Sequence, residues 1–107
     1  MGKEVLGGFE HQVLLAVVQL GDEGAYTVTI VEVLEGAVGK APAPAAVYTT
    51  LRRLEAKGLL RSGVEPSELG GRPRRVFRAL PEAVEELQRA RDALERLWEG
   101  LPATGGG

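Results

Sequence analysis

Glycine and proline residues divide the sequence into short segments, and this division limits the fold to small, closely connected elements. The run Gly21–Gly24 predicts a turn, and Gly36 with Gly39 ends the segment that follows it. Between Lys40 and Pro44, two prolines each remove an N–H donor and fix φ, so no regular element can cross this run. From 107 residues we expect one domain built around one core.

Apolar residues recur three and four positions apart in most segments, and this spacing places them on one face of a helix. The predicted helices are Phe9–Leu20, Thr27–Ala37, Pro44–Lys57 and Pro81–Glu99. The β-branched run TVTIVEV would also suit a strand, but its apolar spacing favours a helix. Thr27 is a candidate N-cap, Pro44 suits the first helical position, and Gly58 suits the position after the third helix.

Two short segments, Leu59–Val64 and Arg74–Leu80, predict strands that are joined by a proline- and glycine-rich tip at Glu65–Pro73. The order helix, helix, helix, hairpin, helix is that of a winged helix-turn-helix domain with one further helix, an α+β fold that is mainly α. In this architecture the third helix lies in the major groove of DNA and the hairpin tip flanks it. The expected division is residues 1–80 for the winged helix-turn-helix domain, 81–101 for a dimerisation helix and 102–107 for a disordered tail.

Positive charge is concentrated in one part of the chain. Between Arg52 and Arg78 there are eight cations and three anions, whereas the whole chain has a net charge of −2. Residues 1–51 sum to −4 and residues 79–107 to −3, so acidic regions flank the basic one. A polyanion would therefore meet the protein at a single surface, which makes double-stranded DNA the leading partner.

The sequence contains little that would indicate an enzyme, a metal centre or a membrane protein. It has no cysteine, and its single histidine, His11, lies on the first predicted helix without an obvious nucleophile. Gly70-Gly71 belongs to a hairpin and not to a phosphate-binding strand-to-helix turn. The longest apolar run, Val13–Val18, is far short of the roughly 20 residues that cross a bilayer, and the N-terminus lacks the pattern of a signal peptide. We therefore expect no enzyme activity, cofactor, metal or membrane partner, and a cytoplasmic location.

Segments along nearly the whole chain resemble the PadR family of transcriptional regulators. They are Glu10–Ala16, Ala25-Tyr26, Ala46–Leu60 and Gly70–Arg78. The combination of Tyr-x-x-Leu-x-Arg-Leu-Glu-x-x-Gly-Leu with a later Gly-Arg-Pro-Arg makes the resemblance specific. It implies a dimeric repressor whose winged helix binds an inverted-repeat operator. It also implies a C-terminal helical region that completes the dimer and, in several members, a ligand that weakens DNA binding.

The chain departs from the family's pattern in three places. Tyr26-Thr27 stands where members often have Tyr-Gly, and Ala79-Leu80 replaces the usual Leu-Thr before the last helix. The C-terminal region is one helix, which resembles the short branch of the family, so we expect no large separate effector domain.

The predicted DNA contacts lie on the third helix and on the hairpin. Small residues at the start of the helix allow close approach to the groove, and exposed N–H groups there can bind phosphate. For Tyr48 two interpretations stay open: contact with DNA, which the resemblance favours, or packing of the ring on the hairpin. For Arg53 two interpretations also stay open: an ion pair with a carboxylate such as Glu32 or Glu35 of the second helix, which we favour, or contact with DNA. The full set of predicted contacts is Ala43, Pro44, Ala45, Ala46, Tyr48, Thr49, Arg52, Arg72, Arg74 and Arg75.

The last helix carries apolar residues at the heptad spacing of a helix–helix seam. These residues are Ala83, Leu87, Ala90, Leu94, Leu97 and Leu101. The first helix is apolar nearly all round, which also favours contact with a partner subunit. The predicted homodimer interface comprises Phe9, Val13, Leu87, Leu94, Leu97, Trp98 and Leu101. Trp98 carries a second hypothesis, which the resemblance allows: paired rings that line a cavity for a flat aromatic ligand.

We therefore expect a sequence-specific DNA-binding transcriptional regulator, a dimeric repressor of the PadR type that a small aromatic ligand releases from its operator. A rival interpretation is a winged helix used for protein–protein contact without operator binding, which the net acidity permits. A third is a ligand sensor whose affinity for DNA is low without a partner.

Overall fold

The computed structural model describes residues 6–66 and 70–102, and within these ranges the elements follow the predicted order. The helices are α1 (Gly8–Leu20), α2 (Thr27–Val38), α3 (Pro44–Ala56) and α4 (Pro81–Glu99), and a short 3-10 helix, Gly21–Glu23, follows α1. The strands β1 (Leu60–Glu65) and β2 (Arg74–Ala79) form an antiparallel hairpin, here called the wing. The mainly α winged helix-turn-helix fold is thus confirmed. Residues 103–107 of the predicted disordered tail and 67–69 of the wing tip lie outside the described residues.

Helix α1 lies at the centre of the fold and contacts α2, α3, α4 and β2. One apolar cluster joins these elements, with Leu14 of α1, Ile30 of α2 and Phe77 of β2 among its largest members. Each fully buried side chain of this kind stabilises the fold by about 1.5–3 kcal/mol relative to an exposed one. The core therefore fixes α3 and the wing against a common support.

Two residues predicted for the dimer interface belong to this core. Val13 is 0% exposed, so it offers no surface to a second subunit and that prediction is wrong. Leu87 of α4 is 7% exposed and packs largely within its own chain. The reason is that α1 is covered on several sides by its own chain, so its extensive apolar surface does not by itself indicate a partner subunit.

Helix α3 has sharply defined ends. Ala43 is the N-cap and Pro44 occupies the first turn, where the missing N–H costs no hydrogen bond. At the other end Gly58 adopts φ of 81°. The Gly58 N–H donates to the Glu55 carbonyl at 3.0 Å and the Leu59 N–H to the Leu54 carbonyl at 3.1 Å, which is the Schellman arrangement. The predictions for Pro44 and Gly58 are therefore confirmed.

The start of α2 differs from its prediction. Tyr26, with extended backbone, is the N-cap, and Thr27 is already helical, so the proposed Thr27 cap is wrong. Thr29 supplies the hydroxyl instead: it accepts from the Tyr26 N–H at 3.0 Å and donates to the Tyr26 carbonyl at 2.9 Å. The β-branched run is helical because Ile30 and Leu34 both face the core.

The wing also pairs with Ala25, which lies in the connection between α1 and α2. Ala25 and Phe77 exchange both backbone hydrogen bonds, at 2.9 and 2.8 Å, on the edge of β2 that β1 leaves free. Gly24, buried and with φ of 91°, precedes this bridge and lies directly against Val76. The connection between α1 and α2 is therefore attached to the wing through this bridge. None of the helices in the described ranges is long and apolar enough to cross a membrane.

Candidate nucleic-acid interface

Helix α3 separates its residues cleanly into two faces. Val47, Leu51 and Leu54 are fully buried in the core. The predicted contact residues are all exposed: Ala43, Pro44, Ala45, Ala46, Tyr48, Thr49 and Arg52. From Ala45 to Arg52 the exposed stripe follows the spacing of one helix face. The structure thus brings the predicted helix contacts together on one surface.

The N-terminal end of this face carries partial positive charge. No side chain caps the first turn of α3, because the N-cap is Ala43. The first N–H groups of a helix have no partner within the helix, and the helix dipole adds to their attraction for anions. Small side chains at Ala45 and Ala46 leave these groups accessible to a phosphate.

Tyr48 packs on the wing and also keeps an exposed surface. Its ring meets Phe77 of the wing edge-on, with centroids 6.2 Å apart and planes at 75°. The side chain nevertheless stays 40% exposed, and its hydroxyl makes no hydrogen bond to any residue that the structure describes. The ring therefore braces α3 against the wing while the phenol remains available to a partner.

A polar chain links α3 to the wing. Arg75 donates to the Ser62 hydroxyl at 2.9 Å, and Ser62 donates to Glu55 Oε2 at 2.8 Å. Arg52 lies 3.5 Å from Glu55 Oε1, a buried oxygen that accepts no hydrogen bond within the described chain. Arg75 is half-buried and engaged inside the protein, so it is a weaker candidate for DNA contact than its charge suggested.

The remaining wing arginines differ in their surroundings. Arg72 is exposed and has no partner among the described residues. Arg74 is exposed as well, with its guanidinium carbon 4.0 Å from the centre of the Tyr26 ring. Arg78 is occupied structurally: its Nε donates to the Asp22 carbonyl at 3.0 Å, and its Nη1 lies 3.3 Å from Glu65. Only some of the positive charges counted in the sequence are therefore available to a polyanion.

A further ion pair anchors the end of α3 to α1. Glu10, 8% exposed, accepts from Lys57 Nζ at 2.9 Å and from the Gly7 N–H at 3.0 Å. Burial alone would raise the pKa of Glu10, but these two hydrogen bonds and the charges of Lys57 and Arg53 outweigh it and lower the pKa. Arg53 makes no ion pair with Glu32 or Glu35 in the described part of the chain, so that prediction is wrong. The charge of Arg53 instead helps to lower the pKa of Glu10, which lies on α1 and not on α2.

Comparison with known proteins decides the family. The model of the transcriptional regulator PadR-like family matches residues 14–89, from α1 into α4. The chain belongs to the PadR-like family. Its members are transcriptional regulators, which confirms the prediction of a regulator and not an enzyme.

Individual relatives agree with this assignment. A transcriptional regulator of Mycobacterium tuberculosis is 50% identical over 54 residues, covering 50% of this chain and 49% of its own, so the chain matches about half of that relative's length. A PadR family regulator from Eggerthella lenta has a TM-score of 0.68 at 28% identity, over 82% of this chain and 75% of that one. A PadR-like regulator from Bacillus cereus shares the fold, with a TM-score of 0.68 at 18% identity over 85% and 84% of the two chains.

The C-terminal half of α4 in this PadR-like protein leaves its apolar side chains uncovered. Leu97 is 69% and Trp98 71% exposed, and Leu94 and Leu101 are exposed as well. Phe9 of α1 is half-buried. An open groove of about 410 Å³ between α1 and α4 is lined by His11, Leu15, Val18, Val84, Leu94 and Trp98, among others. The residues predicted for the dimer interface and for a ligand, Val13 and Leu87 excepted, therefore keep accessible surface.

The structural roles of several residues that shape this PadR-like interface were not predicted from the sequence. Tyr26 contacts Arg74, Glu10 contacts Lys57, and Ser62 links Glu55 to Arg75, and such individual contacts leave no periodic pattern in the sequence. The position of Gly24 could have been recognised from the sequence, because this glycine closes the predicted turn just before Ala25-Tyr26. Among the described residues, no group of three acidic or histidine side chains is placed to hold a metal ion.

Proposed function

We propose that this PadR-like regulator is a dimeric repressor that binds an inverted-repeat DNA operator in the cytoplasm, with α3 in the major groove and the wing beside it. The observation that carries the proposal is the exposed stripe of α3, from Ala45 to Arg52, which adjoins a wing with exposed Arg72 and Arg74. Both lie in the one basic region of an otherwise acidic chain. Phosphate attraction would therefore act at the same surface that presents α3.

Base recognition by this surface rests on few side chains. Tyr48, Thr49 and Arg52 can hydrogen-bond to base edges or phosphates, whereas Ala45 and Ala46 can contact only a thymine methyl. Specificity should therefore depend also on DNA shape and on the spacing of two half-sites. In a dimer the two copies of α3 would enter successive major grooves about 34 Å apart.

The dimer would use the exposed apolar side chains of α4. Four large apolar side chains are exposed together near the end of this helix: Leu94, Leu97, Trp98 and Leu101. A contiguous exposed apolar surface of this kind is typical of a protein–protein contact. A second copy, bringing the same residues, would cover them. In this arrangement the groove beside Trp98 would take a flat aromatic effector that changes the spacing of the two α3 helices.

Selection from randomised duplexes tests operator binding. At about 100 mM salt we expect enrichment of a palindrome whose half-site centres lie about 10 base pairs apart. Failure to enrich any sequence, even at low salt, would contradict the proposal and support a winged helix for protein–protein contact.

The arginine assignments have a matched test. Arg72→Ala should weaken binding to every duplex and reduce the slope of log affinity against log salt by about 0.9, the value for one lost phosphate contact. Arg78→Ala removes the same charge from a residue occupied inside the protein, so the slope should stay near the wild-type value. Equal slopes for both variants would argue against the assignment of Arg72.

Effector binding is tested through Trp98, the only tryptophan of the chain. Aromatic compounds that release the protein from its operator should quench or shift its fluorescence. A releasing compound that leaves Trp98 fluorescence unchanged would contradict a site beside this ring.

A further inference from the structure

Tyr26 and Arg74 form a stacked pair at the junction of α2 and the wing. The guanidinium carbon of Arg74 lies 4.0 Å from the centre of the Tyr26 ring, within the distance of a cation–π interaction. Tyr26 is half-buried, whereas Arg74 is exposed. The ring thus covers one face of the guanidinium and leaves N–H groups at its rim open to a partner.

The ring is held in place by the backbone around it. The Tyr26 N–H and carbonyl are both bonded to the Thr29 hydroxyl, and the Ile30 N–H donates to the same carbonyl at 3.0 Å. The preceding residue, Ala25, is fixed to Phe77 of β2 by two backbone hydrogen bonds. Tyr26 therefore sits on a support that belongs to α2 and to the wing at once.

A free arginine side chain loses conformational entropy when it binds a phosphate, and an arginine already held in position loses less. Arg74 and Arg72 lie on the same wing, and within the described chain Arg72 has no such support. A cation–π contact also leaves the N–H edges of the guanidinium unoccupied, unlike the carbonyl contacts of Arg78. Stacking therefore restricts Arg74 without satisfying its donors.

We propose that Tyr26 is a positioning residue for DNA binding: its ring holds Arg74 so that the guanidinium edge meets a backbone phosphate beside the wing. The inference rests on the proposed DNA binding and adds to it a residue on α2. The ring, and not the hydroxyl, carries the effect. Tyr26→Phe keeps the stacking face, whereas Tyr26→Leu removes it while remaining apolar, so these two variants form a matched pair.

The test measures affinity for a selected duplex between 50 and 200 mM salt by fluorescence anisotropy. Tyr26→Phe should bind like the wild type. Tyr26→Leu should bind about two- to fivefold more weakly, as expected for an exposed cation–π contact. Its salt slope should fall, though by less than the roughly 0.9 expected for Arg74→Ala, because the unsupported Arg74 then contacts the phosphate in only part of the bound population. The double variant Tyr26→Leu/Arg74→Ala should bind no more weakly than Arg74→Ala alone.

A purely structural role for Tyr26 would lower the melting temperature of Tyr26→Leu but leave its salt slope at the wild-type value, and this result would overturn the proposal. An equal loss in Tyr26→Phe would overturn it as well, because the hydroxyl would then be responsible. If the wild type binds no duplex at all, the proposed function itself fails, and the inference fails with it.

A measurement on the folded wild type needs no Tyr26→Leu protein. The ring current of Tyr26 should shift the Arg74 Hδ resonances upfield relative to those of Arg72, and the shift should persist when the duplex is added. Two results would show that Arg74 is not stacked on Tyr26 when it binds DNA. One is Arg74 Hδ resonances that match those of Arg72, and the other is an upfield shift that vanishes when the duplex is added.

Discussion

Replacing Gly24 by alanine should destabilise the protein more than any other glycine-to-alanine change in its turns. Gly24 has φ of 91° and ψ of 163°, a region open essentially to glycine alone, and a side chain there costs about 1–3 kcal/mol. The added Cβ would also overlap the Val76 Cγ2 methyl and lie 3.3 Å from the Arg78 guanidinium. Overpacking of this kind costs about a further 1–3 kcal/mol.

Gly21 provides a matched control three residues earlier in the same connection. Its φ of 75° and ψ of −152° are also unfavourable for alanine, but a Cβ there would meet nothing within 4 Å. The difference in unfolding free energy between Gly24→Ala and Gly21→Ala should therefore isolate the overlap, at about 1–3 kcal/mol.

Urea unfolding at one fixed protein concentration measures this difference, since the proposed dimerisation would make apparent stability depend on concentration. A double-mutant cycle adds Val76→Ala, which removes the methyl groups that the new Cβ would strike. The combined cost should then be smaller than the sum of the single costs. Equal destabilisation by Gly24→Ala and Gly21→Ala, or strict additivity with Val76→Ala, would refute the argument.

Three further outcomes follow from the helices. Gly36→Ala, in an exposed part of α2 where a Cβ meets nothing, should raise the unfolding free energy by about 0.5–1 kcal/mol, measured by the same urea titration. Because the pKa of Glu10 is lowered in the folded state, its contribution to stability is present above about pH 4.5 and is lost as the pH falls through the folded value. Melting temperatures of Glu10→Gln should therefore vary less with pH in this acid range than those of the control Glu32→Gln; equal pH profiles would contradict the ion pair. Leu97→Ser should weaken self-association in sedimentation with little change in helix content, since Leu97 is 69% exposed in the single chain; an unchanged sedimentation profile would place the dimer contact elsewhere.

The elements were predictable where the sequence contains strong local signals. Pro44 and Gly58 mark the ends of α3 because each favours a backbone conformation that few other residues adopt. The start of α2 was harder, because Thr27 and Thr29 can both supply a capping hydroxyl and only the fold shows which one does. Local chemistry thus located the helices to within a residue or two.

The roles of individual charged and apolar residues could not be read in the same way. Arg72 and Arg78 both belong to the basic region of the sequence. In the structure Arg72 is exposed, whereas Arg78 donates a hydrogen bond to the Asp22 carbonyl. Val13 and Leu97 likewise fit the same apolar periodicity, but one is core and the other surface. These distinctions depend on contacts between distant segments, which periodicity and charge do not encode.

The bridge between Ala25 and Phe77 also determines how the wing can open. At the base of the hairpin, Ala25 and Phe77 are fully buried, while towards the tip Val64 and Arg74 are exposed. Local opening requires little free energy where few apolar contacts are broken and approaches the global value where the core itself must open. Amide hydrogens at the base should therefore exchange with solvent only through global unfolding, and those near the tip much sooner. In the proposed complex, the tip would therefore adjust to the contour of a duplex while the junction between α3 and the wing stays closed.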